Sequence, residues 1–118
     1  MLAVAGMTVE ALTKLVVTEN KAAGADLAHV SIVNNRSECC VSGPIEALVH
    51  LREQIAKGSA EAGSQARVPY SLRKPETTTS FLRVSAPFHS PVCASAVAAI
   101  ADDAKRVGFS LGKLAVPV

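Results

Sequence analysis

The alternation of apolar and polar positions predicts the elements of the first half of the chain. Residues 1–6 form a short apolar run that ends at a glycine, which is typical of a strand. Thr8 is then a good helix N-cap, and four apolar residues follow it at helical spacing: Ala11, Leu12, Leu15 and Val16. Apolar alternation returns over 29–33 and 38–42, with a polar turn between them. The pattern therefore predicts a strand, a helix that fades near Asn20, and a β-hairpin.

A second helix and a polar stretch come next. Pro44 stands near the first helical position, and the apolar stripe that follows consists of Ile45, Leu48, Leu51 and Ile55. We expect this helix to end before Gly58 or Gly63. Residues 63–80 carry prolines and a threonine run and predict a long exposed connection, and residues 81–85 predict a fourth strand.

A third helix is predicted beyond the proline-flanked segment 87–91. Ser90 is a candidate N-cap, and Pro91 suits the first helical position. The apolar positions that follow at helical spacing are Val92, Ala96, Ala99, Ile100, Ala104 and Val107. Gly108 is the expected C-cap, and residues 114–118 are typical of the beginning of another strand.

This order of elements predicts an α+β fold. Over residues 1–86, with the polar insertion 63–80, it matches the split β-α-β pattern of a ferredoxin-like fold. The helix and strand of residues 87–118 are left over from that pattern, as expected if the chain is cut from a larger α/β protein into whose core they return. The apolar face of the last helix has little to cover it. We therefore expect the isolated chain to self-associate or to leave that face exposed.

Composition excludes several classes of partner. The net charge is only +2 and aromatic residues make up 3% of the chain, so neither a strongly basic face nor base-stacking side chains favour nucleic acid binding. No apolar run reaches the roughly 18 residues that a membrane span needs. The opening apolar run is too short for a signal-peptide core, and it has no basic start. We therefore expect a cytoplasmic protein without nucleic acid or membrane partners.

The cysteines and two of the histidines do not predict a metal site. Cys39 and Cys40 are adjacent on a predicted strand and face opposite sides, which suits neither a disulfide nor a metal pair. His29 and His50 have no second ligand at a metal-binding spacing. We expect reduced thiols, structural or surface histidines, and no metal.

Three blocks of the chain resemble, in order and spacing, the acyl-CoA:acyl-carrier-protein transacylase domains. The hairpin of that family is similar to residues 32–35 (IVNN), 40–44 (CVSGP) and 47–48 (AL). The segment that carries its catalytic histidine resembles residues 84–91 (VSAPFHSP). An insertion in the acetyltransferase domain of the fungal fatty acid synthase beta subunit is similar to residues 67–74 (RVPYSLRK). The resemblance covers nearly the whole chain.

The resemblance implies an architecture and a mechanism. The family has an α/β-hydrolase-like core with an inserted ferredoxin-like subdomain, so this chain would be that subdomain and a return into the core. His89 would be the general base of a Ser-His dyad, taking the serine proton as the hydroxyl attacks an acyl-CoA thioester. It would then help the phosphopantetheine thiol of the acyl carrier protein attack the acyl-enzyme. Acyl-CoA and the carrier are implied as substrates, the rest of a synthase as partner, and no tightly bound cofactor.

The chemistry of imidazole fits this role for His89. Its ordinary pKa of about 6.5 lets it accept and return a proton at neutral pH, and flanking prolines stiffen its backbone. From the pattern alone, the alternative is a capping or packing histidine at a helix start. The resemblance favours the acyl-transfer role.

The nucleophile of such a dyad is missing from its expected place. The serine of the family lies in a G-x-S-x-G elbow well before the histidine, and nothing before His89 fits that motif. A literal match occurs at residues 108–112, but it follows a helix instead of joining a strand to a helix. We expect Ser110 to lie in a connecting loop. The serine would then be outside this chain, and the chain alone would be inactive.

Two further residues are candidates for substrate binding. By resemblance, Phe88 lies beside the acyl pocket, where its ring would disfavour α-branched groups and suit acetyl or malonyl. The resemblance of the insertion favours acetyl, although the choice stays open. Asn34 faces the site or, alternatively, is a turn residue that bonds its own backbone. The alternative function for the whole chain is a free-standing ferredoxin-like binding or regulatory module without catalysis.

Overall fold

The computed structural model describes residues 1–61, 65–73 and 76–108 of the chain. Its elements, in chain order, are β1 (Leu2–Ala5), α1 (Val9–Ala23), β2 (His29–Asn35), β3 (Glu38–Ser42), α2 (Ile45–Glu61), a 3-10 turn (Tyr70–Leu72), β4 (Thr78–Phe81), a second 3-10 turn (Pro91–Cys93) and α3 (Ala94–Val107). The predicted α+β class is confirmed. The predicted strand at residues 114–118 lies outside the described residues.

The strands of the described residues form a sheet in the order β2-β3-β1-β4. Every neighbouring pair is antiparallel, and Leu2 of β1 lies opposite Val41 of β3 and Phe81 of β4. The strands β1 and β2 therefore run in the same direction, with β3 between them. The hairpin of β2 and β3 has irregular register at Ser31 and at Asn34.

One face of the sheet carries the core. Alternation along β1 and β3 directs Leu2, Val4, Cys39 and Val41 to the side on which α1 and α2 pack. The helices contribute apolar side chains at helical spacing, and the buried members are Leu12 and Val16 of α1 and Leu48, Leu51 and Ile55 of α2. The opposite face is left open by both helices, and we call it the open face of the sheet.

The first helix is longer than the pattern predicts. Its start is confirmed, because the Thr8 hydroxyl oxygen accepts from the Ala11 N–H at 3.3 Å. The helix then continues past Asn20 to Ala23, and Gly24 ends it with φ 67°. Asn20 bonds the loop before β2 instead of ending the helix. Its side-chain oxygen accepts from the Leu27 and Ala28 N–H groups, and its amide donates to the Ala28 carbonyl.

The second helix extends to the later of its two predicted ends, before Gly63. The helix continues through Gly58 and reaches Glu61. A glycine inside a helix costs only about 1 kcal/mol relative to alanine. Burial of Leu51 and Ile55 against the sheet outweighs that cost.

The predicted position of the fourth strand is wrong. It spans Thr78–Phe81 instead of residues 81–85, so it begins inside the threonine run that was expected to be an exposed connection. The pairing decides this, because Thr78 lies opposite Ala5 and Phe81 opposite Leu2. Threonine is β-branched and suits a strand, and among the described strands β4 pairs with β1 alone, so polar side chains are tolerated there.

No helix within the described ranges is both long enough and apolar enough to span a lipid bilayer.

Candidate functional site

His89 lies in the segment that joins β4 to α3, between Pro87 and Pro91. Its backbone has φ 56°, and no other described residue except glycine has a positive φ. This left-handed conformation costs of order 1–3 kcal/mol for a residue with a side chain, although histidine tolerates it better than most. The side chain is exposed. The surrounding contacts must therefore hold the backbone while the imidazole stays accessible.

The first of these contacts joins the segment to the hairpin. The hydroxyl of Ser42, at the end of β3, donates to the carbonyl oxygen of Phe88 at 2.8 Å. Ser42 is fully buried, and its oxygen also lies 2.8 Å from the hydroxyl oxygen of Ser31 in β2. Val41 faces the helices, so Ser42 faces the other way and the segment lies against the open face. The residue just before His89 is thus bound to the sheet.

A second set of contacts closes the segment on itself. The Ser90 hydroxyl donates to the carbonyl of Pro87, the Cys93 sulfur lies 3.5 Å from the same oxygen, and the Cys93 N–H donates to the carbonyl of Ser90 at 3.0 Å. The expected N-cap is only partly present. Ser90 occupies the cap position of the 3-10 turn with Pro91 after it, but its hydroxyl makes no capping hydrogen bond. The helix α3 begins only at Ala94, because the chain first makes the 3-10 turn.

The two residues expected to bind substrate lie in different surroundings. The side chain of Phe88 is 48% exposed and precedes His89 directly. Asn34 is exposed on β2 and lines a shallow depression of about 260 Å³ on the open face. The residues that line this depression are Ala3, Val4, Ala5, Asn34, Glu38, Cys39, Cys40, Thr78, Thr79 and Ser80, so Phe88 and His89 do not belong to it.

Asn34 is a strand residue, and the self-bonding turn asparagine of this hairpin is Asn35. The side-chain oxygen of Asn35 accepts from the Ser37 N–H at 2.9 Å, and its amide donates to the Glu38 carboxylate at 2.8 Å. The turn role considered for Asn34 therefore belongs to its neighbour. Asn34 itself stands at a register shift of the hairpin, where a side chain can be directed away from the regular alternation.

The other two histidines each lie near a carboxylate. The Nδ1 atom of His50 lies 2.7 Å from a Glu19 carboxylate oxygen and links α2 to α1, and His29 Nδ1 lies 3.8 Å from Asp26. Burial, and to a smaller extent the charges of Cys40 and Glu10, raise the pKa of the Cys39 thiol. Among the described residues, no three histidine, cysteine, aspartate or glutamate side chains are grouped so that they could hold a metal ion.

No protein-family model matches the chain. It is, however, 36% identical over 119 residues to fatty acid synthase subunit beta of Schizosaccharomyces pombe and 32% identical over 120 residues to a fatty acid synthase beta subunit of Monascus ruber. Both alignments take in the whole chain. The corresponding subunit of Saccharomyces cerevisiae is 34% identical over 93 residues, or 76% of the chain. The chain is homologous to one segment of the fungal fatty acid synthase beta subunits.

This homology confirms the predicted resemblance to that synthase subunit. The chain spans about 6% of the length of the first two relatives, so most of each relative has no counterpart in the chain.

The helix α3 exposes its apolar side. Val92 before the helix and Val97, Ile100 and Val107 within it are each more than 60% exposed, and no residue of the helix is buried. The rest of the helix surface carries exposed ion pairs, Lys105 with Asp102 and Arg106 with Asp103, and Asp102 lies opposite the apolar side. Gly108 ends the helix with φ 68°, as predicted for a C-cap. Ser110 lies outside the described residues.

Ser31 and Ser42 were not predicted as functional residues, although Ser42 holds the His89 segment and Ser31 contacts Ser42. Their signal is weak, since each is a small polar residue in an apolar strand. Ser31 stands at a register shift, where the extra residue turns its side chain towards Ser42. A hydroxyl on a buried strand needs a partner, but the partner here is a backbone carbonyl 46 residues away, which no local pattern indicates.

Proposed function

We propose that this chain is part of an acyltransferase that moves a short acyl group from coenzyme A to an acyl carrier protein in fatty acid synthesis. Acetyl is the proposed group, with malonyl as the second choice. The observation that carries the proposal is an exposed histidine on an anchored left-handed turn, in a chain homologous to fungal fatty acid synthase beta subunits.

The geometry around His89 suits a general base. Such a base must reach the substrate while its backbone stays fixed. The imidazole of His89 is exposed, and the Phe88 carbonyl before it is tied to the buried Ser42. In the proposed reaction, the ring takes the proton of a serine hydroxyl as that oxygen attacks the thioester carbon, and it gives this proton to the CoA sulfur as the CoA thiol leaves. It then takes the proton of the carrier thiol as that sulfur attacks the acyl-serine, and the serine oxygen is released and protonated.

The proposal places the nucleophilic serine outside this chain. Within residues 1–88, no serine stands in the G-x-S-x-G motif of a nucleophile elbow. Phe88, half-exposed beside His89, would limit the acyl group to small, unbranched ones. Asn34 would contact substrate from the open face of the sheet.

We also propose that the chain contributes to two parts of the acyltransferase. We assign residues 1–86 to a ferredoxin-like subdomain, supported by the split β-α-β arrangement in which β3 lies between β1 and β2. We assign residues 87–118 to a return into an α/β-hydrolase-like core. The exposed apolar side of α3 supports this assignment, because such a side is covered in a folded core. The remainder of the synthase and the carrier protein are the proposed partners.

A free-standing binding module is the second candidate. The depression of about 260 Å³ on the open face favours it, because small ligands bind in concave sites. The residues that line the depression do not include His89, so substitutions at His89 would not change the affinity of a ligand bound there. This separates the two candidates experimentally.

The test is a chimera. The matching segment of the Schizosaccharomyces pombe subunit is replaced by this chain, and transfer of labelled acetyl groups from acetyl-CoA to the carrier protein is measured. We expect His89→Ala to lower the rate about 10²- to 10⁴-fold, which is the usual contribution of a general base. His50→Ala is the matched control, since His50 is an exposed histidine paired with Glu19, and it should leave the rate within about twofold.

Two results would contradict the proposal. The first is a chimera in which His89→Ala transfers acetyl as fast as the unsubstituted chain. The second is a stable acyl group on a serine of the isolated chain after incubation with acetyl-CoA, detected by peptide mass spectrometry.

A further inference from the structure

The Ser31–Ser42 pair is a part-buried polar contact between β2 and β3. A buried hydroxyl is costly unless it is hydrogen-bonded, so a fully buried serine at the end of β3 needs a partner. The partner of Ser42 is the carbonyl of Phe88, at 2.8 Å. This hydrogen bond links the hairpin to the peptide group that leads into His89.

We propose that Ser42 is a positioning residue for His89. The φ angle of His89 is a rotation relative to the peptide plane formed by the Phe88 carbonyl and the His89 nitrogen. A donor that holds the Phe88 carbonyl holds that plane. The left-handed φ of 56° is then maintained from outside the segment, by Ser42. The catalytic meaning of this inference rests on the function proposed for His89.

The other contacts of the segment act at different places. The Ser90 hydroxyl and the Cys93 sulfur both bond the carbonyl of Pro87, one peptide group earlier. Neither contact fixes the plane that defines φ of His89. Ser31 bonds only within the hairpin among the contacts described: its hydroxyl oxygen lies 2.8 Å from that of Ser42, and it donates to the Cys40 carbonyl at 3.2 Å. Ser42 is therefore the described side chain that holds this plane.

Loss of the Ser42 hydroxyl should release the strain at His89. Without the anchor, the backbone of a residue that carries a side chain relaxes to negative φ. The imidazole then points in another direction, and the start of the 3-10 turn moves with it. Ser42 would in this way control where the base is presented without contacting substrate.

The experiment is an NMR measurement on the full isotopically labelled chain. A strong cross-peak between the amide and α protons of one residue marks positive φ, and we expect it for His89 in the unsubstituted chain. Ser42→Ala should lose this strong cross-peak. Ser31→Ala is the matched control, because it removes the other hydroxyl of the same pair and leaves the Ser42–Phe88 contact, so it should keep the cross-peak.

The inference is overturned if Ser42→Ala keeps the strong His89 cross-peak, or if Ser31→Ala loses it equally. If Ser42→Ala does not fold, Ser42→Cys replaces it. Cysteine keeps the buried volume but is a weak donor, so the cross-peak should weaken. Full retention in a folded Ser42→Cys chain would also refute the role.

An activity measurement separates this inference from the proposed function. In the chimera, Ser42→Ala should lower kcat roughly 10- to 100-fold with KM for acetyl-CoA unchanged, as expected when a base is misplaced. If the NMR result holds but His89→Ala has no effect on transfer, Ser42 positions a histidine that is not the base. If His89→Ala abolishes transfer but Ser42→Ala changes neither the cross-peak nor kcat, the function stands and the positioning role is refuted.

Discussion

The surroundings of Cys39 in β3 determine the chemistry of its thiol. Cys39 faces the core formed with α1 and α2, and it is 2% exposed. Its pKa is raised because burial disfavours the thiolate, and because the charges of Cys40 and Glu10 add to that effect. A thiol in this state packs as a small apolar side chain and is a poor nucleophile.

The raised pKa of Cys39 predicts a loss of stability at alkaline pH. In the unfolded chain the thiol ionises near its ordinary pKa of 9.0, whereas in the folded chain it stays protonated to higher pH. The unfolded state therefore loses its proton first, and the free energy of unfolding falls as pH rises above about 9. Urea unfolding between pH 8 and pH 10 should show this slope. Cys39→Ala should flatten it, and Cys93→Ala should not. An unchanged slope in Cys39→Ala would contradict the assignment.

Among the elements, β4 depends on the turn between β1 and α1. Gly6 in that turn has φ 84°, and a Cβ at this position would overlap the backbone carbonyl of Glu76, just before β4. Gly24 also has a positive φ, of 67°, but no atom lies within 4 Å of its Cβ position. Gly6 is thus required both for its conformation and for the close approach of the chain, and Gly24 only for its conformation.

The two glycines give a matched pair of substitutions. Gly24→Ala should lower the free energy of unfolding by about 1–2 kcal/mol, which is the cost of a left-handed alanine. Gly6→Ala should cost roughly 3 kcal/mol or more, because the backbone of β4 must also move. Chemical denaturation checks both values. Equal losses of unfolding free energy in the two variants would show that the close approach to Glu76 adds nothing to the cost of Gly6→Ala.

At the scale of the whole molecule, two surfaces are not covered by any of the described residues. The open face of the sheet carries the depression next to Asn34, and α3 exposes the apolar side formed by Val97, Ile100 and Val107. A contiguous apolar surface of this kind favours association. In the proposed synthase, the rest of the subunit would cover it.

The isolated chain should therefore associate through α3. Val97→Lys or Ile100→Lys should each raise the fraction of monomer measured by sedimentation velocity. Stability should change by about 0.5 kcal/mol or less, because both side chains are exposed. Asp102→Asn, on the opposite side of the helix, is the control and should leave the association unchanged. A monomer at all concentrations before any substitution would contradict the prediction.

Local signals in the sequence determined most elements of this protein. The strand β3, the Thr8 cap of α1 and the Gly108 end of α3 were each predicted correctly, because caps, glycines and strand alternation act over a few residues. The exposure of the apolar side of α3 and the family resemblance also followed from the order of residues alone.

Only the tertiary structure decided the features that depend on distant residues. Pairing with β1 placed β4 in the threonine run, and packing against the sheet carried α2 past Gly58. The hydrogen bond from Ser42 to the Phe88 carbonyl, next to the candidate base His89, could not be predicted from the sequence either, because the two residues come together only after the sheet has formed. The left-handed backbone of His89 belongs to the same group, since a conformation that is unfavourable by itself persists only where contacts from other elements hold it.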